Sequence, residues 1–198
     1  HPLAMPGRGY LPEVWLLGSS LFSAQLAGLL GLPFAFAYHF SPGPLDAALS
    51  TYRSHFRNTG LSDSPRAMVA VSVVCAPTEE EARWLAGSSA LGIVQLRTNR
   101  LGPLPSPEEA AAYRYTESEA AMVEHTMATH VIGDPETVAD GLLRLEERTS
   151  ADELLISTRL HSHEARIRSL QLVAGVRGQS PSGPLPDLSI PAGARSAP

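Results

Sequence analysis

The sequence predicts an α/β fold built on a parallel sheet, and three observations carry that expectation. Four short apolar runs recur along the 198 residues, each followed by a stretch with apolar residues at helical spacing. The run over residues 32–38 is apolar without alternation, which fits a strand covered on both faces. The first run stops at Gly18-Ser19-Ser20, where a strand would turn sharply into a helix. Repeated strand–helix units close through right-handed crossovers, so the strands should lie parallel.

Residues 1–12 are rich in Pro and Gly and read as a linker. The first strand covers residues 13–17. The helix over 20–30 has Leu21, Phe22, Leu26, Leu29 and Leu30 as its apolar set, with Gly31 at its C-terminal stop. After the second strand, Ser41-Pro42-Gly43-Pro44 breaks the chain. Pro44 suits the first turn of a helix that reaches about Asn58, stopped by Gly60. Val69, Val71, Val73 and Val74 mark a third strand over 67–75. Thr78-Glu79-Glu80-Glu81 then reads as a capping box, with Glu81 reaching back, and the three acids serve the helix rather than catalysis. That helix runs to about Leu96. A loop follows, and residues 108–130 form one or two inserted helices. Asp134-Pro135 caps and starts a helix ending near Thr149. The fourth strand covers 152–158 and the last helix 162–176. Residues 13–177 thus form one unit. Residues 178–198, rich in Gly, Pro and Ser and without aromatics, read as a disordered tail.

Composition removes several function classes. The net charge is −5 and no arginine stripe forms, so nucleic acid is not expected as a partner. No run of about 18 apolar residues would span a membrane. No basic-then-apolar leader opens the chain, and one cysteine, Cys75, forms no internal disulfide; a cytoplasmic setting is the expectation. All 15 basic residues are arginine. The absence of lysine excludes a P-loop lysine, a Schiff base and a lysine general base. Phe22 stands where a Gly-x-Ser-x-Gly elbow would need its second glycine.

The Gly18 turn is the strongest candidate for chemistry. In a parallel α/β protein it lies at the carboxyl end of a strand, where ligands bind. Gly18 would let the backbone approach a ligand. Ser19 or Ser20 could cap the helix, and its free N–H groups together with the helix dipole would attract a phosphate. Ser23 shares a helix face with Ser20. The plain alternative is a serine cap with no ligand. Tyr38 and His39 follow the second strand at the same presumed face, either contacting a flavin or substrate or serving as a rim aromatic and a turn histidine. Cys75 reads as a buried, inert thiol. His161 and His163 start a helix, where their rings diverge, so no metal site is expected. His125 and His130 receive no role. Asp152 and Glu153 begin a strand, away from a barrel's active end, and read as structural.

Residues 14–20, then Ser23-Ala24-Gln25-Leu26-Ala27 and Gly31-Leu32-Pro33-Phe34-Ala35-Phe36-Ala37, resemble the second half of the luciferase-like flavin monooxygenases. So do Gly133-Asp134-Pro135-Glu136-Thr137-Val138 and Ala151-Asp152-Glu153-Leu154-Leu155, followed by His161, Arg166 and Ser169. The likeness runs from about Pro6 to Gly175, and nothing resembles that family's first four strands. It implies the C-terminal half of a TIM-like barrel: four parallel strands with their helices. It implies reduced FMN and molecular oxygen acting on a small organic substrate, with a flavin reductase as a candidate partner. The family's matching positions make Gly18, Ser19, Ser20 and Ser23 the expected phosphate grip.

An eight-unit barrel needs about 250 residues, and the chain opens at His1, which suits a piece of a longer protein. A half-barrel has bare edges and an uncovered inner face. Val, Leu and Phe of the strands are expected to line that face, hidden by a missing half or by a second copy. Such a chain should be inactive alone. The rival readings are a flavin-binding or assembly half-barrel without turnover, and a fragment with no function of its own.

Overall fold

The computed structural model describes residues 12–41 and 43–176. The expected linker, apart from Pro12, and the expected tail lie outside the described residues. The elements are β1 (Leu16–Gly18), α1 (Leu21–Leu30), β2 (Phe34–Ala37), α2 (Leu45–His55), β3 (Ala67–Cys75) and α3 (Glu79–Arg97). They continue with α4 (Pro107–Ala112), α5 (Glu117–Met127), β4 (Val131–Gly133), α6 (Pro135–Thr149), β5 (Glu153–Ser157) and α7 (His163–Val176). All pairings are parallel.

β3 is the hub. Its even-numbered backbone groups meet one neighbour: the Ala70 carbonyl accepts from His39 N–H, just past β2, and Ala76 N–H donates to Gly133 of β4. Odd-numbered groups meet the other: Asp152 N–H donates to the Ala67 carbonyl, and Thr158 Oγ1 donates to Val73 at 3.0 Å. Backbone groups of a strand alternate between its two edges. β4 therefore takes over the β2 edge of β3 beyond the point where β2 ends, and β5 takes the opposite edge.

β4 is a fifth strand that the four-run reading missed. It has three residues, too few for a period-two pattern to declare itself, and lies between the expected inserted helices over 108–130 and the helix start at Asp134. Two further expectations are corrected. α2 ends at His55 rather than Asn58, because Phe56 turns to an extended conformation and sets its ring against Tyr52. Pro44 sits just before that helix, not in its first turn. At α3, Thr78 accepts from Glu81 N–H as a cap, but the reciprocal Glu81 bond is not formed; Glu79 instead pairs with Arg83 and accepts from Thr137.

Side-chain alternation divides the sheet's two faces. Phe34, Phe36, Val69, Val71, Val73 and Cys75 face α1, α2, α6 and α7 and build the main core with Leu49, Tyr52 and Leu142. Each fully buried Val or Phe there contributes about 1.5–3 kcal/mol. The opposite face carries Ala35, Ala37, Ala70 and Ser72. The Phe residues and most of the Val residues expected on the inner face sit under the helices instead; the inner face mixes small residues with Leu17, Val74 and Leu155. Leu17, in register with Ala35, and Leu155, in register with Ala70, lie on this face toward its two edges and are 67% and 46% exposed. The carboxyl end of the inner face is roofed by the segment between β3 and β4. There Val74 and Ile132 pack on Ala82 and Ala86 of α3, and α5 and α4 lie behind α3.

The amino-terminal ends of the strands are tied shut. Asp152 accepts from Ala67 N–H at 2.7 Å, Arg66 pairs with Glu13 and Glu153, and the Arg66 guanidinium stacks on Trp15. Tyr52 Oη lies 3.1 Å from both the Leu32 and Arg66 carbonyls, between which it shares its one proton, and accepts from Arg66 N–H at 2.9 Å. Asp152 and Glu153 are structural, as the sequence implied.

Candidate functional site

The carboxyl ends of the strands carry two separate features. The first is the turn between β1 and α1. Ser20 is the N-cap: its Oγ accepts from Ser23 N–H at 3.2 Å, and Ser23 Oγ accepts from Ser20 N–H at 3.3 Å, a reciprocal box built from two serines. The two hydroxyls lie 3.2 Å apart. Among the described residues, no acceptor meets the Leu21 and Phe22 amides of the first turn. A Cβ on Gly18 would stand 2.1 Å from Ser23 Oγ, so only glycine lets the helix start close over the strand end. Gly18, Ser20 and Ser23 thus meet at one point, and Ser19 follows Gly18 directly.

α1 also differs from the rest of the molecule in charge. Each of the other six helices, α2 to α7, has Asp or Glu in its first turn, and α1 has none. Elsewhere the positive end of the helix dipole is neutralised by the chain itself. At α1 it is left for something else to neutralise. Ser23 Oγ donates to the Ser20 carbonyl at 2.8 Å, so what the turn offers a phosphate is the Leu21 and Phe22 amides and the Ser20 hydroxyl, with no competing carboxylate.

The second feature is a cavity of about 90 Å³ between the inner sheet face and its roof. Ser72 of β3 and Ser157 of β5, in register with one another, form part of its floor. His39 enters it from the end of β2, with Nδ1 fixed 3.0 Å from the Ala70 carbonyl and its ring 4.1 Å from that of Phe40. Tyr38 does not enter. It is buried on the other side, with Oη 3.4 Å from Arg148, which also binds Asp46. His39 and Tyr38, adjacent in sequence, are thus separated by strand alternation.

The roof supplies the groups that sequence reasoning missed. His130, between α5 and β4, borders the cavity, and its Nδ1 is buried with no partner among the described residues. Burial lowers its pKa from 6.5 to about 4, helped by the nearby His39 and Arg159, so the ring is neutral. Arg97 and Arg159 complete the mouth. No motif marks these residues; only the folding of α3 and α5 over the sheet gathers them. Cys75 is buried and its thiol is pushed up to about 11 by burial, so it is inert at neutral pH. His161 bonds the Leu104 carbonyl, whereas His163 faces Arg166. Among the described residues, no group of three metal-ligating side chains forms, and no helix is long and apolar enough to cross a membrane.

Residues 1–152 match the luciferase-like monooxygenase family. The chain belongs to that family. A luciferase-like monooxygenase of Escherichia coli K12 is 38% identical over 177 residues, covering 89% of this chain and 53% of the relative. The crystal structure of apo-MsnO8 superimposes with a TM-score of 0.79 at 30% identity, over 89% of this chain and 54% of that one. The oxygenating constituent of 3,6-diketocamphane monooxygenase from Pseudomonas putida, solved with FMN, shares the fold at TM-score 0.56 and 21% identity, over 86% and 49% of the two chains. This luciferase-like chain spans about half the length of the curated relatives it matches. Its sheet is accordingly half of the TIM-type barrel of its structural neighbours.

Proposed function

We propose that this chain forms the flavin-phosphate half of an FMN-dependent luciferase-like monooxygenase. The observation that carries the reading is the α1 N-terminus, which among the described helices alone joins free first-turn amides and two converging serines to the lack of an acid. Gly18 admits the helix end, Ser20 offers its hydroxyl, Ser23 holds the turn and can turn its hydroxyl from the Ser20 carbonyl to the phosphate, and Ser19 lies beside them to complete the grip on the FMN phosphate. When bound, the flavin supplies the redox chemistry with oxygen. The chain's own work is to bind and to exclude water. The phosphate grip provides affinity without lowering the barrier, because it acts equally in ground and transition states. The roofed cavity at the strand ends, with His39 and the buried, neutral His130 on its wall, suits the organic substrate.

Catalytic groups of a barrel come from the ends of several strands. Supplied with reduced FMN and oxygen, this chain alone should therefore release hydrogen peroxide without oxygenated product. A second copy or the remaining barrel strands would complete the site, and a flavin reductase would supply reduced FMN.

The direct test compares FMN with riboflavin, which lacks only the phosphate. The chain should bind FMN more tightly. Ser20→Ala should weaken FMN by about tenfold or more, as expected for loss of a hydrogen bond to a charged group, and leave riboflavin unchanged. Equal binding of the two flavins, or FMN affinity unmoved by Ser20→Ala, would reduce the serines to caps.

A further inference from the structure

The cavity's charge pattern is unusual for this chain. The whole protein carries −5, yet the cavity is bordered by two arginines and no carboxylate. Arg66, Arg83, Arg100 and Arg148 each pair with a carboxylate. Neither Arg97 nor Arg159 has a side-chain partner among the described residues. Their positions are fixed by backbone. Thr158 Oγ1 holds the Val73 carbonyl at 3.0 Å, and Ser89 Oγ donates to the Arg159 carbonyl, so the turn after β5 is pinned between β3 and α3. Arg97 closes the last turn of α3. His130 lines the same cavity, its buried Nδ1 without a partner among the described residues.

We propose that Arg97 and Arg159 form an anion clamp at the cavity mouth that takes the carboxylate of the organic substrate, with the apolar part of the molecule lying against Phe40, Ile93 and Leu96. Arginine's fork matches a carboxylate in two parallel hydrogen bonds. Ser72 and Ser157 hydroxyls face the buried end, and the apolar wall favours an aliphatic or aromatic acid over a free inorganic anion. The unpartnered Nδ1 of His130 is a polar group that a bound oxygen would satisfy. The clamp rests on the flavin-enzyme reading only in calling the acid a substrate; the carboxylate site itself does not depend on it.

The test uses hexanoate and 1-hexanol, which share a chain and differ in charge, titrated calorimetrically into the 198-residue chain in phosphate-free buffer. Hexanoate should bind about tenfold or more tightly than 1-hexanol, the usual advantage of a charge-assisted pair. The double variant Arg97→Gln, Arg159→Gln should abolish that preference. Arg83→Gln, which removes a charge from the exposed start of α3, should keep it. Both arginines of the clamp are exposed, so the double variant should stay folded, checked by circular dichroism. Equal binding of the two probes, no hexanoate binding at millimolar concentration, or a preference that survives the double variant would each overturn the clamp. The FMN-to-riboflavin affinity ratio should be unchanged in the double variant. If that ratio falls, the cavity holds the flavin phosphate and the substrate clamp is wrong. If instead Ser20→Ala leaves FMN binding intact while the hexanoate preference stands, the phosphate grip fails and the clamp survives.

Discussion

Two helix starts in this chain use the same kind of cap and end in opposite electrostatic states. At α1, Ser20 caps and Leu21 and Phe22 follow; at α3, Thr78 caps and Glu79, Glu80 and Glu81 follow. Both caps satisfy one amide with a side-chain oxygen. α3 then neutralises its own dipole three times over, and one of those acids bonds Thr137 while another atom of it pairs with Arg83. α1 leaves its positive end open, and an apolar, exposed pair covers the first turn, with Phe22 75% exposed. A helix start built for stability recruits carboxylates. One that lacks them, on a strand end of a parallel sheet, is what the proposed phosphate grip requires.

The largest effect should come from the glycine that permits the α1 geometry. In Gly18→Ala, the new Cβ meets Ser23 Oγ at 2.1 Å and its Cβ at 2.4 Å, so the helix start must move. Overpacking of this kind costs about 1–3 kcal/mol. FMN affinity should fall steeply with it. Thr78→Ala at α3 should cost about 1 kcal/mol, read as a lower midpoint of thermal unfolding, with no change in FMN affinity. If both variants moved stability and FMN binding in proportion, the two helix starts would not differ in function.

A smaller effect should separate the caps by pH. Asp134 caps α6, and its carboxyl lies below the usual 3.8 because it accepts the Thr137 N–H. A carboxyl lowered in the folded state adds stability in full above its unfolded value and loses it as pH falls through the folded one. The thermal advantage of the native chain over Asp134→Ser should therefore shrink as pH falls below that 3.8, and should be flat between pH 6 and 8 (about neutral, where the carboxyl is ionised throughout). Ser20 has no titrating group, so no matching change should arise from α1.

Much of this was legible in the sequence because it is local. The Gly18-Ser19-Ser20 turn, the Asp134-Pro135 helix start and the valine-rich β3 announce themselves within a few residues. The parallel sheet follows from their repetition. β4 was not legible, since three residues paired to the end of β3 carry no pattern of their own. Nor was the inner face: a buried central strand is apolar on both sides, so composition cannot tell that Val71 goes under helices while Ala70 and Ser72 look inward. The cavity was least legible of all. Ser72, His130 and Arg159 lie far apart in sequence, and only the roof of α3 and α5 makes them neighbours.

The most direct measurement converts one helix start into the other. Leu21→Glu with Phe22→Glu places acids in the first turn of α1 as Glu79 and Glu80 stand in α3. Both positions are exposed, and the new charges suit the dipole, so the unfolding midpoint should hold or rise slightly, by an effect of about 0.3–1 kcal/mol per acid. FMN affinity should collapse while riboflavin binding stays as it was. A variant that is equally stable and still binds FMN as tightly as the native chain would contradict the claim that the α1 N-terminus holds the phosphate.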